Sequence, residues 1–220
     1  MRKPFGWILD AFNLYFTKDG GNTWEKSLSY KDKYLLAQPG MFFLLNDQTI
    51  LVCDAGDNSG RIYKTNNSGQ SWHTEKVIRN SSSPCGIFFI NEKEGWYSSG
   101  QQVFHSGDVG QRWERLTSLP NRFEVCSMFW LSSNQGWLAG FFQNSENNSP
   151  MFGKGAILKT LDGGKTWTEI PVDDKNPFFT QIYFSDSQIG WLVSRDSIYV
   201  TSNGGADWRL SFSLPSMSEK

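Results

Sequence analysis

The sequence predicts an all-β protein built of five stacked antiparallel sheets, on three observations. An eight-residue phrase, Ser or Thr, spacer, Asp or Asn, spacer, Gly, two residues, Trp, returns five times. It reads Thr17…Asp19…Gly21…Trp24, Thr65…Asn67…Gly69…Trp72, Ser106…Asp108…Gly110…Trp113, Thr160…Asp162…Gly164…Trp167 and Thr201…Asn203…Gly205…Trp208. Its tryptophans stand 48, 41, 54 and 41 residues apart, a period suited to one four-stranded sheet per repeat. A Gly-Trp pair precedes the box at Gly6-Trp7, Gly95-Trp96, Gly136-Trp137 and Gly190-Trp191, with Thr49-Ile50 in its place in the second repeat. Self-similarity at such a period marks units that bury their faces on one another, so the expected fold is a β-propeller of four-stranded blades.

Within the second repeat, β-rich runs over Met41 to Leu45, Ile50 to Cys53, Arg61 to Thr65 and Ser71 to Val77 give strands A to D, each bounded by turn residues. No stretch holds a helical apolar period. The box falls on the C–D turn. Its Asp or Asn can accept hydrogen bonds from backbone N–H groups two residues on, and its Gly supplies a positive φ. The Trp then starts strand D, where its ring can be buried and its indole N–H can reach a carbonyl. All twenty box residues named above are therefore expected to be structural. Asn67 and Asn203 stand where acid/base chemistry would demand a carboxyl.

These boxes resemble the Asp-box, or BNR, repeat of β-propellers over nearly the whole chain. The phrase Ile157-Leu-Lys-Thr160-Leu-Asp162-Gly-Gly164-Lys-Thr-Trp167, with its upstream Gly-Trp, is similar to the photosystem II stability/assembly factor family and its non-photosynthetic relatives. That resemblance implies a non-catalytic propeller that binds another protein and helps to build membrane-associated complexes. Asp boxes also occur in sialidases and other glycoside hydrolases, so the motif specifies fold more than activity.

A chain of 220 residues holds one propeller domain and no second one. The expected blades are approximately 1–29, 30–79, 80–119, 120–172 and 173–214. The first repeat begins at strand B, so its blade lacks the inner strand, giving nineteen strands. Either the chain belongs to a longer propeller or the ring has five blades with unpaired sheet edges, through which an oligomer could form. A formal net charge of −1 with interspersed signs argues against nucleic acid as a partner. The first ten residues meet Asp10 too soon for a signal-peptide core, and no segment reaches membrane-spanning length. The chain therefore reads as soluble and unaddressed.

Cys53, Cys85 and Cys126 have no metal-ligand spacing. Cys85 and Cys126 share a repeat position, each ten residues before its Gly-Trp, and could pair across neighbouring blades, although free buried thiols are expected. His73 and His105 read as ordinary turn and strand residues. No cofactor is expected.

The A–B and C–D turns should lie at one end of the blades, here called lower, and the B–C and D–A connections at the other, upper end. Two enlarged B–C connections, Asp54 to Gly60 and Phe141 to Gly155, single out the upper end as functional surface. The expected partner-binding set is Tyr30, Lys31, Arg79, Arg122, Glu124, Phe141, Phe142, Asn144, Asp173 and Phe178. Asp54, Asp57 and Asn58 could hold a cation. The alternative is a carbohydrate-active propeller, for which Glu124 with Asp173 or Asp174 would supply two carboxyls. The Arg-Ile-Pro phrase of sialidases is absent and the arginines are scattered, so no catalytic residue is assigned.

Overall fold

A computed structural model describes residues 5–10, 13–29, 42–56, 59–79, 85–143, 153–172 and 178–214. The chain is an all-β propeller of five antiparallel sheets. Among the described residues blade one has three strands, Gly6–Leu9 (β1), Asn13–Thr17 (β2) and Glu25–Ser29 (β3), with no inner strand, as expected. Blade two is Phe42–Leu44 (β4), Ile50–Gly56 (β5), Ser59–Thr65 (β6) and His73–Arg79 (β7). Blade three is Cys85–Phe89 (β8), Gly95–Ser99 (β9), Gln102–Ser106 (β10) and Glu114–Ser118 (β11). Blade four is Phe123–Trp130 (β12), Gly136–Phe142 (β13), Lys154–Thr160 (β14) and Thr168–Ile170 (β15). Blade five is Phe179–Phe184 (β16), Gly190–Ser194 (β17), Ser197–Thr201 (β18) and Arg209–Ser213 (β19).

Burial reports each blade's place in the stack. Every residue of β9 in blade three is buried, because sheets cover both of its faces. In β17 of blade five buried residues alternate with partly or fully exposed ones, the pattern of a strand covered on one face.

Strand register corrects two expectations. Gly6, Gly95, Gly136 and Gly190 each pair with the first box residue of their own blade, and in blade two the residue opposite Thr65 is Ile50. The pair standing in for Gly-Trp is thus Ile50-Leu51, one residue later than Thr49-Ile50. The supposed loop from Asp54 to Gly60 is mostly hairpin, since pairing continues from Asp54↔Arg61 to Gly56↔Ser59. Extra length here became longer strands.

Adjacent blades meet through one repeated joint. The Trp of Gly-Trp, or Leu51 in blade two, packs on the next blade. Trp96 stacks on Trp130 at a centroid distance of 3.8 Å, and Trp137 on Phe184 at 3.9 Å. A side chain also donates across each joint to a carbonyl of the following box: Ser27 Oγ to Gly69 at 2.7 Å, Lys64 Nζ to Val109 at 2.8 Å, Trp96 Nε1 to Gly163 at 3.1 Å and Lys159 Nζ to Gly204 at 2.8 Å. The joint therefore combines an apolar plug with one hydrogen bond that satisfies an otherwise stranded turn carbonyl.

One cysteine meets expectation and one departs from it. Cys53 is disulfide-bonded, whereas Cys126 is free and buried. A Cys85–Cys126 bridge is thereby excluded, and Cys53 is not the free thiol expected. Burial, reinforced by the negative charge of Glu124, pushes the Cys126 thiol up to about 12, so it is inert as a nucleophile near neutral pH.

Candidate functional site

All five boxes close the same turn. The first hydroxyl accepts the N–H of the box glycine at 2.9 to 3.0 Å and donates to the Asp or Asn Oδ1 at 2.7 to 2.9 Å. That Oδ1 accepts the backbone N–H four residues on, at 2.8 to 3.0 Å, and not the one two residues on. Each box glycine has φ between 75° and 93°. The residue before it is left-handed as well, including Ser68 and the β-branched Val109, a second requirement that the sequence reading missed. Box residues also bond back to the A–B turn in blades two to five, which places both turns at one end. Those A–B turns carry their own unforeseen motif: Asn46, Asn91, Ser132 and Asp186 accept backbone N–H bonds with their side chains.

The box tryptophans stand immediately before strand D and do not start it. Trp24 Nε1 donates to the carbonyl of Gly21 at 3.1 Å, and Trp72 Nε1 donates to Ser27 Oγ at 3.0 Å. The Nε1 of Trp208 has no hydrogen-bond partner among the described residues, so there the ring acts through packing, edge-on to Phe184 at 5.8 Å.

Electrostatics agree with a structural role. Hydrogen bonds from the Thr23 hydroxyl and N–H hold Asp19 down to about 2, and those from Thr166 do the same for Asp162, against an ordinary 3.8. Neither carboxyl retains a proton for acid catalysis near neutrality. A folded-state value below the unfolded one means stability that is complete above the ordinary carboxyl range and lost as pH falls from about 4 through about 2. Urea unfolding at pH 5, 4, 3 and 2 should show that loss, and Asp162→Asn should flatten its slope. An unchanged slope would show that the turn does not carry the acid sensitivity.

At the upper end the expected residues are partly assembled. Arg122, Glu124, Phe141, Phe142 and Phe178 gather where blades four and five adjoin. Gln143 N–H donates to the Arg122 carbonyl at 2.9 Å, and Gln143 Nε2 donates to Glu124 Oε1 at 2.9 Å. Phe141 and Phe178 lie 4.7 Å apart by ring centroid, and Phe142 meets Phe123 edge-on at 5.3 Å. Arg122 is exposed and holds φ at 66°. Phe142 and Phe178 are half-buried, while Glu124 and Phe141 are buried and so can only support the surface. Gln143, the residue that ties the group together, was not foreseen, because an amide in a polar loop carries no sequence signal. Arg79 ends β7 in blade two, with its side chain outside what is described. Tyr30, Lys31, Asn144 and Asp173 lie outside the described residues, as do Asp57, Asn58 and Asp174.

Asp54 is buried in β5, not on a loop. Tyr63 Oη donates to its Oδ2 at 3.1 Å and Arg61 Nη1 approaches the same oxygen at 3.5 Å. Burial, then the charge of Asp54, raises the Tyr63 phenol. This carboxylate is engaged in an internal trio with Tyr63 and Arg61 in blade two. Among the described residues no group of three His, Cys, Asp or Glu side chains converges as a metal site, and no helix is long and apolar enough to cross a membrane. His105 pairs with Glu94 at 3.1 Å and His73 with Glu75 at 3.0 Å.

No family model matches the sequence, and no curated protein matches it. Solved propellers do. The chain is similar to the GH74 xyloglucanase from Xanthomonas campestris, with a TM-score of 0.69 and 14% identity over 91% of this chain and 34% of that one. It is also similar to YCF48 from Cyanidioschyzon merolae, with a TM-score of 0.63 and 14% identity over 94% of this chain and 69% of that one. A structure of YCF48 bound to D1 peptide gives 0.62 and 14% over 94% and 63%. The chain is a β-propeller. It spans about a third of the hydrolase chain and about two thirds of the YCF48 chains.

Proposed function

We propose that this propeller is a non-catalytic protein-binding module that receives a peptide segment of its partner at the upper end of blades four and five. What supports the reading is the presentation of Arg122. An exposed cation is held in a left-handed conformation by its own carbonyl's bond to Gln143, beside the half-buried rings of Phe142 and Phe178. A non-glycine residue there costs about 1 to 3 kcal/mol, and the combination of an exposed guanidinium on a constrained backbone with apolar rings suits a peptide carrying a carboxylate and an aliphatic or aromatic side chain. The repeated boxes resemble the Asp-box repeat, and YCF48 bound to D1 peptide is a structure of similar fold. An assembly-factor role for a membrane-associated complex follows by that resemblance.

The second reading, a carbohydrate-active propeller, draws on the likeness to the xyloglucanase. Against it, Glu124 is buried and its Oε1 accepts from Gln143 Nε2, while the carboxyls expected to partner it, Asp173 or Asp174, lie outside the described residues. A glycoside hydrolase needs two carboxyls facing one cleft. Panning a displayed peptide library on the wild-type protein tests the choice. Enriched peptides should bind at least about tenfold more weakly to Arg122→Gly, while its stability stays equal or rises by up to about 1 kcal/mol as the strain is relieved. Peptides that bind both proteins alike, or xyloglucan hydrolysis abolished by Glu124→Gln, would overturn the reading.

A further inference from the structure

The joint between blades is made four times, and among the described residues blades one and five each carry one half of it unmade. Blade four presents Phe129, Trp137, Ala139, Ile157 and Ile170 to blade five, and they are buried or half-buried there. Strand register puts Tyr183, Trp191, Val193, Ile198 and Phe212 at the same positions on blade five. Every one is apolar or aromatic, yet among the described residues no further sheet covers them. Trp191 is 38% exposed, Tyr183 57% and Phe212 52%, whereas Trp137 is fully buried. Tyr183 and Trp191 already lie nearly parallel at 6.1 Å, a preformed aromatic ledge.

Blade one shows the converse. Residues Leu192, Tyr199 and Trp208 of blade five are the buried set that receives blade four. Their counterparts by register and box position are Ile8, Tyr15 and Trp24 on blade one. Ile8 is 48% exposed and Trp24 38%. A Cβ added to the box glycine of blades two to five would meet the preceding blade, at Trp7, Leu51, Leu116 and Trp137 respectively, but at Gly21 it would meet only Trp24. Among the described residues, no side chain of another blade donates to a carbonyl of the blade-one box.

We propose that blade five of one molecule seats on blade one of a second copy of this chain, head to tail, remaking between molecules the joint that each chain makes within itself. The occupant is a second copy because the same chain holds both complementary faces and their fit already exists four times in the molecule. Such a contact is heterologous: it uses different surfaces on the two partners, so it closes into a ring or continues as an open chain. It involves sheet faces and box carbonyls, and is distinct from pairing of the free edge of β1.

Two substitutions on already exposed side chains test this. Trp191→Glu breaks the blade-five half and Ile8→Glu breaks the blade-one half, and near-ultraviolet circular dichroism checks that each folds; Tyr183→Lys serves if Trp191→Glu does not. Sedimentation velocity from about 1 to about 100 μM should show association of the wild-type protein that each variant weakens at least about tenfold. An equimolar mixture of the two folded variants should regain a dimer and nothing larger, because one intact joint remains between them. A wild-type protein that stays monomeric across the range would overturn the proposal. So would variants that associate like wild type, or a mixture that does not dimerise.

Discussion

Gly140→Ala is expected to destabilise the propeller by about 3 kcal/mol or more, and in a protein of ordinary stability that leaves a large unfolded fraction. Gly140 lies in β13 opposite Val125 of β12, where the register slips between Val125 and Ser127 and Cys126 becomes the extra residue of a bulge. A bulge sharpens the local twist and brings the two backbones together. A Cβ at Gly140 would run into the carbonyl oxygen of Glu124, a main-chain atom that cannot step aside as a side-chain tip can. The strand would have to part from its neighbour at the point where Glu124 and Gln143 brace the upper surface. Gly107, the second position of its box, is the control: a Cβ there meets nothing within 4 Å, so Gly107→Ala should stay within about 0.5 kcal/mol. Urea unfolding of the two variants checks both. Equal midpoints would show that β12 and β13 can separate freely and that the upper surface is not a rigid platform.

Trp137→Ala should cost about 3 to 5 kcal/mol, and the same change at its repeat counterpart, Trp191→Ala, no more than about 1 in dilute protein. The two residues hold the same place in Gly-Trp, one before a blade and one before open solvent. Trp137 is fully buried, stacks on Phe184 with ring planes 19° apart and lies 5.4 Å beneath the Lys159 ammonium. Truncation would leave a cavity at the joint and remove the aromatic face from a half-buried cation. Truncation at Trp191 removes surface that water already reaches. Denaturation midpoints at low protein concentration give the difference. Comparable losses would mean that stability tracks the dipeptide itself and owes little to the neighbour it meets.

The parts of the fold legible in the sequence were those set by local chemistry. A left-handed glycine, a hydroxyl that caps it and an Asp or Asn acceptor are needed wherever this turn occurs, so blade number, box role and the missing inner strand could be read directly. Features decided by cross-strand partners could not. Asp54 looks like a loop residue among Gly, Asn and Asp, but pairing with Arg61 and a hydrogen bond from Tyr63 carry the strand past it. Ile50-Leu51 hid one residue from its expected place because neither residue resembles Gly-Trp. Glu124 and Phe141 were expected in partner contact, and the lengthening of β12 and β13 buries them. The exposed aromatics of blade five were unremarkable as residue types. They stand out only once strand register sets them against the buried joint residues of blade four.

The alternation in β17 and its absence in β9 also imply an order of events when the protein breathes. Each blade leans on its immediate neighbours, so local stability resembles that of a one-dimensional array in which terminal units are held from one side and interior units from two. Blades one and five are the units that open at least cost, with backbone amides that exchange soonest, while those of blade three are released only when the array as a whole gives way. Opening of blade five therefore leaves the centre of the propeller, and the blade-four half of the upper surface, in place.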